Sequence, residues 1–416
     1  MSAAHRLLPA ISVSPVPVYT GRTFAIAATQ LVFRRPPADA LRLAAFYAAF
    51  FVVLGVLQPF WPLWLASRQL NAAEIGIVLA IGVGAKVIGL PVAAHLADRS
   101  GQRRRPMRQL ALLSILSFAL FALTGTFWPI ILVSLLFFSL WPPVMALGES
   151  LTLMAARDRG FEYGRVRLWG SLNYIATALA AGSALSRVPA DAVYWMILAG
   201  VALTWLSCLA VPDLRAPPSR LHRLPIMALL RRREILLLLA GCGLVQGSHA
   251  VYYAFATLHW QAAGYSETVI GGLWALGVLC EVVLFACGAA AIRLAGPVGL
   301  MVIAGFAAAV RWLGTGATEW LPALLLLQTL HAFSFGAAHL GAMHWISRHV
   351  DPALSATAQS LYSAVVFGLF LGGLLYASGL LYATFGGGAF LPMAAAGLAG
   401  TLITLPLLRR PQGGNA

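Results

Sequence analysis

Seven ionisable side chains stand where an apolar chain has least use for them. Lys86, Glu149, Glu281 and Arg311 lie inside long hydrophobic runs, His249 and His331 in two more, and Arg167 at the start of another. A charge at the centre of a hydrocarbon layer costs roughly 3 kcal/mol or more, so each of these reads as a group facing a partner or a water-filled cavity. Opposite charges in such a place can hold a charged solute or pass a proton. Glu281, between Cys280 and Val282 in an otherwise apolar stretch, is a proton-coupling candidate, because desolvation favours the neutral form of a carboxyl and lets it take up a proton near neutral pH. Gln246, His249 and Tyr253 fall at i, i+3 and i+7, one polar stripe on an apolar helix, directed at a bundle interior. No nucleophile–base set or metal-ligand spacing occurs inside the runs, and no Gly-x-x-x-x-Gly-Lys-[Ser/Thr] loop occurs anywhere. The pattern points away from an enzyme, a metal or a cofactor, and towards solute movement driven by a proton gradient. Cys208, Cys242, Cys280 and Cys287 all sit in apolar runs and read as packing residues.

The elements that must position these groups are transmembrane helices. Of 416 residues, 60% are hydrophobic and 10% charged, against about 25% charged in a soluble globule. Twelve apolar runs are long enough to cross a hydrocarbon core of about 30 Å. They are continuously apolar and do not alternate, so they are helices and not barrel strands. The fold class is therefore an all-α membrane protein of twelve transmembrane helices in two six-helix halves. The expected division is a disordered N-terminal tail over 1–42, a first bundle over 43–211, a connecting loop over 212–233, a second bundle over 234–408 and a short tail over 409–416.

The formal charge of +15 is unevenly spread: of 28 Lys and Arg, 24 precede the first span, follow the last, or lie in alternate loops between them. By the positive-inside rule this places both termini in the cytoplasm of a bacterium, with the chain multi-pass in the inner membrane. Anionic lipid accounts for the basic surplus, and nucleic acid is not expected as a partner.

An internal repeat supports the two halves. Ile75–Val83 and Ile270–Val278 share five of nine residues at an offset of 195, which also lays Val56, Phe60 and Leu63 on Val251, Phe255 and Leu258. The same offset lays Lys86 on Glu281. Equal depth in two repeats suggests that these residues form a proton-coupling charge pair across a central cavity.

Three segments carry family resemblances. Ala94–Arg105, with Leu96-Ala97-Asp98-Arg99, Gly101 and Arg103-Arg104-Arg105, resembles the signature of the major facilitator superfamily. The resemblance implies a gating latch built on Asp98, Arg99 and Arg103. Phe161-Glu162-Tyr163-Gly164-Arg165-Val166-Arg167 is similar to the corresponding segment of the lactose permeases, sugar–proton symporters, with Glu149 eighteen residues before Arg167 as there. That likeness implies substrate binding by Glu149 and Arg167. Arg311, twenty residues before His331 in Leu330-His331-Ala332-Phe333, continues it, but Ser334 stands where a glutamate is expected. The proton acceptor cannot be at that position, and Glu281 is the group left to fill the role.

Over nearly the whole chain from Phe46 the sequence resembles the 3-phenylpropionic acid permease group of the superfamily. The telling stretches are Gln246–Tyr253, Trp260–Tyr265, Leu273–Val278 with Glu281, and Val310-Arg311-Trp312. This implies a proton symporter importing a small organic solute by alternating access, with an aromatic carboxylate such as 3-phenylpropionate as the substrate. Its carboxylate would be held by Arg167 or Arg311 and its ring by Tyr253, Trp274 or Trp312. A sugar or nucleoside proton symporter and a proton-driven exporter are the alternatives. The partners implied are the solute, protons and the bilayer.

Overall fold

The computed structural model describes residues 37–215, 226–351 and 354–409. The tail expected over 1–42 lies outside them up to residue 36, as do 216–225 of the connecting loop and the tail from 410. Besides a short helix at Ile226–Leu230, twelve long helices span the described residues: α1 (Ala38–Ser67), α2 (Ala72–Ser100), α3 (Arg104–Ala119), α4 (Phe127–Arg159), α5 (Tyr163–Leu185), α6 (Ala192–Ala210), α7 (Arg233–Ala262), α8 (Glu267–Ala286), α9 (Gly288–Ala317), α10 (Leu321–His349), α11 (355–385) and α12 (Phe390–Thr404). Ten stretches are long and apolar enough to cross a membrane by length and composition. One of these, Thr357–Leu408, holds most of α11 and all of α12, while α5, diluted by Gly170, Ser171, Asn173 and Ser183, is not among the ten. Counting α11 and α12 separately and adding α5 gives the twelve spans read from hydropathy. Leu123, Trp128, Trp195 and Leu294 are all more than 60% exposed, a surface suited to lipid and not to water.

The ends are set by local chemistry. Asn71 caps α2 by accepting from the Glu74 amide at 3.0 Å while the Glu74 carboxylate takes the Asn71 N–H at 2.9 Å, a capping box. Gly101 stops α2 in the left-handed region at φ 66°, where a Cβ would be strained. Within α9, Gly296 (φ 66°, ψ 168°) breaks the helix ahead of Pro297.

The repeat is visible in these bounds. α7 begins and ends 195 residues after α1 (38 to 233, 67 to 262), and α8 begins 195 after α2 (72 to 267). Within the first half, α1 packs on α5 and α6, and α4 on α2 and α3; in the second, α7 packs on α11 and α12, and α10 on α8 and α9. Between the halves α2 lies on α11, α5 on α8 and α1 on α7.

Two opposite ends of the bundle can be told apart. At the terminal face Asp39 meets Arg159 at 3.4 Å, and Gln102 bridges to Arg215. At the far face Arg68 pairs with Asp191 at 2.7 Å, and Thr268 donates to Ser186 at 3.2 Å across the halves. The halves come closest towards the far face, where two glycine contacts are related by the repeat. A Cβ on Gly76 would lie 2.7 Å from Gly379 Cα, and one on Gly271 would strike the Ala178 carbonyl, with Gly182 Cα behind it. Gly76 and Gly271 are themselves 195 residues apart. Between these two seams the Thr257 hydroxyl donates to the Pro59 carbonyl at 2.6 Å.

Candidate functional site

Three breaks in regular helix surround the buried charges. α7 is interrupted between Gly247 and Ala250, and α10 and α11 each contain a π-helical stretch, Ala332–Ala337 and Ser363–Phe370. Such turns insert an extra residue and free backbone groups, often at working sites. The Gln246 side-chain amide answers one of them by donating to the Phe335 carbonyl at 3.1 Å.

Arg311 is fully buried beside these breaks. It donates to Gln328 Oε1 at 2.7 Å, His331 Nδ1 at 2.9 Å and Ser334 Oγ at 3.4 Å. Its guanidinium also lies 4.3 Å from the ring centre of Tyr252 and 4.5 Å from that of Trp312, both cation–π distances. Gln328 Oε1 takes a second bond from the Tyr252 hydroxyl at 3.3 Å. The hydrogen bonding fixes the histidine tautomers. Because Arg311 donates to His331 Nδ1, that nitrogen carries the lone pair and Nε2 carries the hydrogen. Nε2 faces Glu281 Oε2 at 3.5 Å. His249 is the reverse: its Nδ1 lies 3.2 Å from the Val245 and Gln246 carbonyls and donates there, leaving Nε2 to accept from the Ser334 hydroxyl at 3.2 Å. Ser334, at the position where the lactose permease pattern has a glutamate, thus links Arg311 to His249. Tyr253 is half-buried, its ring 5.7 Å from His249 and 6.3 Å from Trp274.

The other pair is open. Arg167 Nε lies 3.7 Å from Glu149 Oε1, with the two side chains 31% and 41% exposed. The Arg167 guanidinium sits 4.4 Å from the Phe51 ring centre and 5.3 Å from that of Tyr47.

Two expectations change. Lys86 does not pair with Glu281, whose carboxylate faces His331 instead, and no ion pair of Lys86 occurs among the described residues. The physical reason is the repeat axis itself: α2 packs on α11 and α8 on α5, so equivalent residues lie on opposite flanks of the bundle and not face to face. Arg311, His249 and Gln246 are fully buried in this conformation and His331 nearly so, whereas the side chains of Arg167 and Glu149 are 31% and 41% exposed. Among the latch residues, Arg103 is buried, donating to the Ala97 carbonyl at 2.8 Å and to Ser150 Oγ at 3.3 Å, while Arg99 is exposed. The side chain of Asp98 lies outside the described residues. Gln328 and Tyr252, which hold Arg311, were missed by sequence reasoning. A glutamine within an apolar span was the available signal for Gln328.

A twelve-helix bundle of two repeated halves, with a charge network buried inside the second, is the architecture of a multi-pass membrane transporter. The chain belongs to the MFS_1 like family, which matches residues 40–391, and so to the major facilitator transporters. It is 32% identical over 363 residues, 86% of this chain and 94% of the other, to the probable 3-phenylpropionic acid transporter of Escherichia coli (strain K12). It is also 25% identical over 340 residues, 73% and 79% of the two chains, to the lactose permease of Klebsiella oxytoca. Among solved structures, a mutant of the nucleoside transporter NupG superposes with a TM-score of 0.80 at 14% identity, over 89% of this chain and all of that one. These relatives are transporters and not enzymes.

Proposed function

We propose that the protein is a proton symporter importing a small aromatic carboxylate of the 3-phenylpropionate kind across the bacterial inner membrane, with both termini cytoplasmic. The observation that carries the coupling is the run Arg311, His331, Glu281. Arg311 holds His331 in the neutral form whose Nε2–H faces Glu281, so the proton that comes and goes in this network belongs to the Glu281 carboxyl. The substrate class is supported by the name of the 32% identical relative and by Arg167, an accessible guanidinium beside two aromatic rings. A fork of N–H donors takes a carboxylate, and ring faces take an aryl group. Solute binding exchanges the Arg167–Glu149 contact for Arg167–carboxylate, and Glu281 protonation removes the charge that would oppose reorientation. The halves then rock from one access state to the other. The six-helix halves enter as the moving bodies, the Asp98, Arg99 and Arg103 latch as the seal, and Tyr253 as a wall of the site with the buried His249 and Gln246 behind it.

A sugar symporter is the second reading, favoured by the Glu149 carboxylate beside Arg167, since an acceptor and donor side by side suit hydroxyl groups. Proteoliposomes with an imposed inward proton gradient separate the two. Uptake of labelled 3-phenylpropionate, with alkalinisation outside on adding it, is expected, and melibiose and uridine are not expected to compete. Competition by melibiose at lower concentration than phenylpropionate would move the assignment to sugars. Uptake without any pH change would end the coupled reading.

A further inference from the structure

The coupled reading leaves unused a half-buried histidine beside its network. His339 lies on α10, eight residues after His331, towards the end of the helix at the terminal face. Eight residues in a regular helix would turn it well off the His331 face. The π-helical stretch between them, Ala332–Ala337, adds a residue to one turn. The pair therefore spans the angle of seven regular residues, close to two full turns at 3.6 residues per turn. His331 and His339 share one face. Glu281 lies along it. Gly336 makes the room: a Cβ there would lie 3.5 Å from Glu281 Cγ and 3.0 Å from Leu284. Of the charged groups in electrostatic reach of Glu281, one is His339 and another is Arg167.

The surroundings of His339 are short of hydrogen bonds. Its Nδ1 is buried without a partner. Its ring centre is 6.1 Å from Tyr362 and 6.3 Å from Phe367, both on α11. The Tyr362 hydroxyl and Oε1 of Gln246 are also buried without a well-aligned hydrogen bond, although the Gln246 side chain and the Cys242 thiol on α7 lie within reach of Tyr362. Three such polar atoms on three helices are the setting in which proteins hold internal water. The groups facing this place are Glu281 from α8, Tyr362 from α11, and Gln246 and the Cys242 thiol from α7, while α9 presents Leu300 and Met301 to this part of α10.

We propose that His339 is a second proton carrier, taking the proton of Glu281 towards the terminal face with water held by Tyr362 and Gln246. The inference rests on the proton-symport reading. In the step, the Glu281 O–H bond breaks and an N–H bond forms on the imidazole, leaving a carboxylate and an imidazolium. The imidazolium then gives a proton from its other nitrogen to water, and rotation of the ring restores the starting tautomer for the next cycle.

The test uses the full chain in proteoliposomes with 3-phenylpropionate, comparing net uptake and its accompanying proton release with equilibrium exchange, which needs no proton release. His339→Gln is expected to slow net uptake about a hundredfold while exchange stays within about twofold, the cost of losing a proton-transfer group. Tyr362→Phe is expected to slow net uptake less, again sparing exchange. Wild-type net uptake and proton release in His339→Gln would overturn the proposal, and so would an equal loss of both modes, which marks a structural role. If wild-type protein itself moves no protons with phenylpropionate, the symport reading falls first, and this inference with it.

Discussion

The two halves carry their charges in opposite ways. In the first, Glu149 and Arg167 remain half-exposed, while the interior is aromatic: Trp61 stacks on Trp64 at 4.5 Å, Phe50 on Trp141 at 4.3 Å, and Phe118 on Tyr194 at 5.6 Å. In the second, Arg311 and His249 are fully buried and His331 nearly so, and the aromatic groups Tyr252 and Trp312 serve as the wall around a cation. A duplicated unit has thus been worked into a dry scaffold that offers a charge and a partner that hides one. An exposed ion pair contributes at most about 1 kcal/mol to stability, so Arg167 is free to change partners. A buried guanidinium with three hydrogen-bonded neighbours is not.

That contrast can be broken experimentally. The largest effect is expected from Arg311→Met, which strands Gln328, His331 and Ser334. Loss of such a buried network costs about 3 kcal/mol or more, read as a lower unfolding midpoint in detergent together with lost uptake. Next comes Gly182→Val. Overpacking a close backbone contact costs about 1–3 kcal/mol, here against the far-face-closed state, and should raise maleimide labelling of a cysteine introduced at Thr268. Arg167→Lys should raise KM for phenylpropionate about tenfold, or about 1.4 kcal/mol, with the unfolding midpoint held near the wild-type value. A matching loss of stability would show that the first half buries its charge after all. The smallest effect belongs to Lys86→Met, which should leave the pH profile of uptake unchanged, because Lys86 and Glu281 occupy opposite flanks. A shifted profile would restore the pairing across the halves.

The spans and the repeat were legible because both are written in periodic features: hydropathy marks the crossings, and the offset of 195 recurs in the helix bounds. The pairing of Arg311 with His331 entered through the resemblance to the lactose permeases, and the two side chains meet at 2.9 Å. The partners of Glu281 were not legible. Equal depth was visible in the sequence, but the direction in which a residue faces depends on which helix of the other half lies against it. His339 gave no sign because a lone histidine in an apolar helix is ordinary, and its alignment with His331 depends on a π turn with no sequence signature. The glycine contacts were hidden among 40 glycines in the chain, since only the assembled helices show which of them lack room for a methyl group.

Those contacts bear on how the protein responds to its surroundings. At Gly76–Gly379 and Gly182–Gly271 the two halves meet backbone against backbone, the three atoms nearest to a Cβ at each of these glycines being main-chain atoms. Dispersion and shape hold such a contact, and neither is screened by ions. Forming or parting these two seams moves no charge through the electric field, so membrane voltage and ionic strength should act on the cycle through the cargo and the carboxyl in the cavity, leaving the glycine seams at the far face indifferent to both.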